Sequence, residues 1–252
     1  MAVMTQVMTL QRGAIAWSNW RSRYPTLQPD LSDAALSGLD LQSADLRGVD
    51  FCRANLTEAI LNQSDLSGSK FNKAHLHQAK LIGAKLRQAE FIDANLVEVD
   101  FRAADLTEAN LIGSDLKGAN LSDTDLIRAN LIGTELRGAR LKQADLMQAE
   151  LCRADLSNAI LLGANLADVN FAGANLFEAE LSGTHLYRAN FRQAKLVRSH
   201  LIGAYLFGAD FTDADLSGAD LSWANLSKAN FAGANLTHTN LRGAILTGAI
   251  LP

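Results

Sequence analysis

The chain has 252 residues, with 23 Lys and Arg against 27 Asp and Glu and a formal net charge of −4. That balance gives no electrostatic footprint for nucleic-acid phosphates and no basic patch for a membrane surface. No apolar run reaches the ~18 residues needed to span a bilayer, and 2 cysteines are too few for a disulfide framework.

The N-terminal stretch reads as a helix. Val3, Val7, Leu10, Ala14, Trp17 and Tyr24 follow helical spacing, and Met4, Met8, Ile15 and Trp20 widen the apolar face. Gly13 weakens this helix, Pro25 ends it, and Pro29 keeps the following linker extended. No basic residue precedes Arg12 and no twin-arginine pair occurs, so a cytoplasmic location is expected.

From Leu31 to Leu251 the sequence holds 45 consecutive slots at five-residue spacing, each filled by Leu or Phe. Two places before each slot stands a small residue, mostly Ala; Leu39 breaks that rule, and Pro29 stands before the first slot. The place just before the slot is Asp or Asn in 27 of 45 cases, and 17 of the 18 glycines lie two places after a slot. A period of five fits neither standard element. On a helix, successive slots would step by about 140° and scatter around the axis; on a continuous strand they would alternate faces. All slots can face one core only if the chain turns once per pentapeptide. Glycine after the slot accepts the positive φ such a turn needs, and Asp or Asn before it can bond nearby backbone.

A second period sets the number of sides. Phe51, Phe71, Phe91, Phe171, Phe191, Phe211 and Phe231 share one phase of a 20-residue repeat, which is four pentapeptides and hence four sides per coil. Phe101 is the exception and is expected to restore core volume where the column changes from Phe91 to Leu111. The predicted fold is an all-β solenoid of about 11 coils, roughly 50 Å long at the interstrand spacing of about 4.8 Å.

The units ADLSG at 214–218 and ANLSK at 224–228 follow the pattern A-(D/N)-(L/F)-x-x, which resembles the pentapeptide repeat family over residues 30–252. The stretch WSNWRSRYPTLQPDLSDAAL is similar to the entry segment of cyanobacterial members. The resemblance implies a right-handed quadrilateral β-helix with a short N-terminal α-helix cap. Residues 1–24 would form the capping helix, 25–30 the linker and 31–252 the β-helix. The helix would plug the first coil, whose apolar core and strand edges are otherwise open. The other end reads GAILTGAILP, without a charge. Two-fold association through Ile245, Leu246, Ile250 and Leu251 would cover it, as gyrase-protecting members of the family pair; alternatively, Pro252 and frayed backbone suffice.

Residues 20 apart should stack on the outside. Ile92, Ile112, Ile132, Cys152 and Ala172 form one outward stripe, and Ile127, Met147, Ala167, Tyr187 and Phe207 a second, with Tyr205 beside it. These stripes are candidate partner surfaces, or residues tolerated on a flat β face. Asp65, Lys85 and Asp105 suggest surface pairing. Asp105, Asp125 and Asp145 stack with like charge and are expected to bond their own turns, with a bound cation as the alternative. His75 and His77 have no third ligand in reach. Cys52 and Cys152 lie five coils apart and should be free thiols. No catalytic motif, cofactor site or metal site is expected. The reading is a non-catalytic scaffold for a protein partner, without nucleic acid or membrane. Its alternative, which the resemblance raises, is a DNA mimic that binds gyrase.

Overall fold

The structure, a computed structural model, describes residues 3–252; Met1 and Ala2, the first residues of the expected cap, lie outside the described residues. From Asp30 onward every fifth residue forms a parallel bridge with the residue 20 positions later, from Asp30↔Asp50 through to Asn230↔Ile250. The bridges are single residues, not extended strands, because each side is only three residues wide before the chain turns again. The backbone pairing is nevertheless dense. Leu31 N–H donates to Asp50 O at 2.7 Å, Asp33 N–H to Cys52 O at 2.9 Å, and Asp50 N–H back to Pro29 O at 2.9 Å. This unit repeats along the rod and satisfies most main-chain groups without long strands.

Each corner is a four-residue turn closed by a bond such as Ala34 N–H to Leu31 O at 3.2 Å. The second residue after the slot has positive φ at all 44 corners. Glycine holds 17 of these places, and 27 carry a side chain, among them Arg53, Glu58 and Gln63. Left-handed backbone costs a side-chain-bearing residue roughly 1–2 kcal/mol. The bonds on both sides of each coil therefore impose the conformation, and glycine is favoured but not required.

The slots fill the interior. The rings of Phe51, Phe71 and Phe91 stack face to face with centroids 5.0 and 4.7 Å apart, and those of Phe171, Phe191, Phe211 and Phe231 at 5.2, 4.9 and 4.9 Å. Phe101 meets Phe91 edge-on at 6.0 Å and 82°, filling the core beside the point where the column changes to Leu111. The small inner residues are buried as well, except for the half-buried Thr239, Ala244 and Ala249 at the end of the repeat. Where they are Ser or Thr, the hydroxyl donates to a slot carbonyl: that of the preceding slot in Ser64 to Leu61 O at 2.6 Å and Thr184 to Leu181 O at 2.6 Å, and that of the slot one coil earlier in Ser114 to Phe91 O and Thr239 to Leu216 O. Among the described residues no buried side-chain nitrogen or oxygen lacks a partner, which removes the main cost of polar groups in so narrow a core.

The N-terminal segment differs from the single helix expected. Gly13, at φ 95°, divides it into α1, Met4–Gln11, and α2, Ala14–Arg23. The break re-aims the apolar face. Leu10 and Trp17 are fully buried against the first coil and Val7, Ala14 and Trp20 pack beside them, while Met4, Met8 and Ile15 point to solvent. The same segment meets the polar edge of the first coil. Val3 N–H donates to Asp30 O at 3.1 Å, Asp30 N–H to Gln6 Oε1 at 2.8 Å, Trp17 Nε1 to Asp45 O at 2.7 Å, and Arg21 Nη2 to Arg47 O at 3.1 Å. No helix is long and apolar enough to cross a membrane.

Candidate interaction surface

The outer faces are ladders of side chains one coil apart. Asp or Asn before the slot accepts the backbone N–H two residues on in 26 of its 27 occurrences, at 2.8–3.3 Å. The expected turn role is thus general, and it explains the abundance of these residues without any chemistry. Later Asn residues also reach back one coil: Asn165 Nδ2 donates to Asp145 at 3.0 Å, Asn175 to Asp155 at 2.9 Å and Asn240 to Asp220 at 3.0 Å.

Asp125 is the exception. Asp105 and Asp145 accept from Thr107 and Met147 as expected, but Asp125, bridged between them, makes no such bond. Partial burial, with the negative charges of Asp105 and Asp145, pushes its carboxyl above the ordinary range. The pairing expected of Lys85 is also absent within 4.0 Å among the described residues; Arg87 reaches Asp105 instead, at 3.3 Å.

Ion pairs interleave the charges. Arg53 meets Asp33 at 2.7 Å, Arg128 meets Glu108 at 2.7 Å and Arg198 meets Glu178 at 3.6 Å, each pair one coil apart. Hydrogen bonds from Arg53 hold Asp33 below the usual carboxylate range, and a bond from Gln88 together with the Arg128 charge does the same for Glu108.

The expected apolar stripes take their places as columns. Ile92, Ile112 and Ile132, like Ile127 and Met147, are half-buried because each is covered by the next coil. Tyr187 and Phe207 stack at 5.8 Å and 10°, with Tyr187 exposed, and Tyr205 is exposed beside them, 5.0 Å from His185. Ile245, Ile250 and Leu251 are exposed on the last coil, and Leu246 is half-buried. Sequence reading overlooked Trp223, an exposed indole at a turn position; an aromatic where the other repeats carry glycine or small and polar residues was its available signal. His77 Nδ1 lies 3.1 Å from Val97 O, and both cysteines are free, with burial pushing the Cys52 thiol up to about 11.

A family model described as pentapeptide repeats matches residues 30–72, 69–107, 104–143, 144–183, 174–213, 184–222 and 214–251. No curated protein matches the sequence. Among solved structures, the chain is 33% identical to HetL, a pentapeptide repeat protein involved in heterocyst differentiation regulation from the cyanobacterium Nostoc sp. strain PCC 7120, over 92% of this chain and 93% of that one, with a TM-score of 0.44. It is 31% identical to a pentapeptide repeat protein of the Arabidopsis thaliana thylakoid lumen, over 39% of this chain and 68% of that one, with a TM-score of 0.38. It is 22% identical to QnrB1, a plasmid-mediated fluoroquinolone resistance protein, over 86% and 91%, with a TM-score of 0.30. With its five-residue register, its bridges every 20 residues and family matches along the whole repeat, the chain belongs to the pentapeptide repeat family.

Proposed function

We propose that this protein is a non-catalytic scaffold that holds a protein partner against the outer columns of a right-handed quadrilateral β-helix of about 11 coils, roughly 50 Å long. The observation that carries this reading is the stacked Tyr187–Phe207 pair with Tyr205 beside it, on a surface whose fold has no use for exposed aromatic rings. Rigid backbone on every side means that little ordering is lost on binding. Ile127 and Met147 extend the same column, and Ile92, Ile112 and Ile132 form a second contact stripe. The helices at residues 3–24 serve as the cap, replacing the missing coil through the Val3, Gln6, Trp17 and Arg21 contacts. We place the protein in the cytoplasm, where two free thiols remain reduced.

The test is capture of partners from a cyanobacterial extract with wild type and with the Tyr187→Ser/Phe207→Ser double variant. Loss of a partner with an unchanged circular dichroism spectrum supports the surface; equal recovery removes it. A homodimer through Ile245, Leu246, Ile250 and Leu251 would cover the apolar side chains of the last coil, and a monomeric mass by light scattering rules it out. Imitation of duplex DNA for gyrase fits less well, because cross-coil ion pairs such as Arg128–Glu108 break up the acidic surface. A supercoiling assay with purified gyrase decides that reading.

A further inference from the structure

The rod carries one exposed side chain that its fold does not call for. Of the 44 corner positions with positive φ, Trp223 alone holds an indole. A bulky residue is a poor occupant of left-handed backbone, so the turn gains nothing from it. The residue is 64% exposed and its ring lies over the corner of the next coil, where a Cβ on Gly243 would fall 2.5 Å from Trp223 Cε3. A glycine at 243 is therefore what lets the indole lie in this place.

Around Trp223 the same side of the rod gathers exposed Ile202, Tyr205, Tyr187 and Ile245 and half-buried Phe207. These residues fall in segments 182–188, 202–208, 222–228 and 242–248, which contain no Asp or Glu. Earlier on the same side, segments 102–108, 122–128, 142–148 and 162–168 hold Asp105, Glu108, Asp123, Asp125, Asp145 and Asp168. Of the segments before these, only 82–88 also lacks acids, so the face is acidic in its middle and acid-free over four successive coils at this end. Arg188 is paired with Asp168 at 3.6 Å. Lys228 and Arg242 have no carboxylate within 4.0 Å among the described residues, and Lys228 Nζ lies 5.3 Å over the Phe207 ring.

We infer that this side, centred on Trp223, docks an acidic segment of a partner protein that also carries apolar side chains. The inference rests on the scaffold reading and narrows it to one side and one partner chemistry. Apolar groups of the segment would cover Trp223 and the Tyr187–Phe207 pair, where aromatic anchors concentrate binding energy. Its carboxylates would meet Lys228 and Arg242, which fixes register and discriminates against basic partners. Bases of a single-stranded nucleic acid could stack on the same rings, but two unpaired cations on a chain of net charge −4 supply little phosphate neutralisation.

The test is to pan a random peptide phage library on the immobilised full chain and to measure a selected peptide by fluorescence anisotropy. Enriched sequences should combine Asp or Glu with Leu, Phe or Trp. Trp223→Ser should weaken the selected peptide by at least about tenfold with an unchanged circular dichroism spectrum. The Lys228→Glu/Arg242→Glu variant should weaken it similarly and should prefer the same peptide with Lys in place of its acids. The inference is overturned by enriched peptides without acids, by binding that Trp223→Ser leaves unchanged, or by tighter binding of a dT oligonucleotide than of any peptide. Peptides mapped instead to the Ile92–Ile112–Ile132 stripe would remove this inference and leave the scaffold reading standing; a library that yields no binder to any side counts against both.

Discussion

Asp125→Asn should make the protein more stable, although it removes a charge from an acidic surface. Asp125 sits between Asp105 and Asp145 in one bridge column, so its carboxylate has a like charge about one coil, or ~5 Å, away on each side. In water each such pair repels by about 0.8 kcal/mol, and physiological salt roughly halves that. Removing both pairs returns about 1 kcal/mol. An Asn at this place can also donate to Asp105 as Asn165 does to Asp145 at 3.0 Å, adding about 0.5–1 kcal/mol. The sum is about 1.5–2 kcal/mol, or a rise in Tm of about 3–8 °C for a chain of this length. The carboxyl of Asp125 is raised in the folded state, so the folded protein binds its proton more tightly than the unfolded chain, and stability falls as pH rises past the ordinary carboxylate value of about 3.9. The charge part of the gain should therefore be full at pH 7, shrink toward pH 3 and fall in high salt. Thermal melts followed by circular dichroism at both pH values and two salt concentrations measure it. A variant no more stable than wild type at pH 7 in low salt would refute the reasoning.

Three further outcomes follow from the core, the edge and the surface. Phe191 lies between Phe171 and Phe211 at 5.2 and 4.9 Å, so Phe191→Ala should cost about 4–6 kcal/mol and Phe191→Leu no more than about 2, read by denaturant melts. Trp17→Phe keeps the buried ring but strands Asp45 O; it should cost about 1–3 kcal/mol and speed hydrogen exchange in the first coil more than in the last. Asp33, Asp45 and Glu108 are held below their usual values, each chiefly by a side-chain hydrogen bond, from Arg53, Arg47 and Gln88 respectively. Their contributions are full above the unfolded value near 4 and are lost as pH falls on through the lower folded values, so Tm should hold level from about pH 5 to 8 and decline under acid.

The architecture was legible because two periods constrain it independently. Five-residue spacing demands a turn per unit, and the phase shared by Phe171, Phe191, Phe211 and Phe231 demands four units per coil. The role of Asp and Asn before the slot could also be read, since it is a local bond. Features that depend on neighbouring coils could not. Arg53 and Gln63 take left-handed backbone because bonds above and below enforce it, which no propensity announces. Gly13 weakens a helix by its composition alone, but whether the helix bends or breaks there depends on the edge that Trp17 and Arg21 reach. Asp125 looked like Asp105 and Asp145, and only the column sets it apart. Trp223 stands out little in the sequence, because a corner residue carries little weight in a pattern of slots and its place depends on Gly243.

The central claim is that the chain advances one coil, about 4.8 Å, for every 20 residues. Its natural cysteines measure this directly. Cys52 and Cys152 occupy the same place in the repeat, 100 residues apart in sequence, and five coils separate them by about 24 Å. Nitroxide labels attached to both, at alkaline pH because burial raises both thiols, allow the distance to be read by pulsed electron paramagnetic resonance. A single narrow distribution near 24 Å, broadened only by the label linkers, is the expected result. A broad distribution, or one centred toward the roughly 55 Å of an unwound chain of that length, would contradict it.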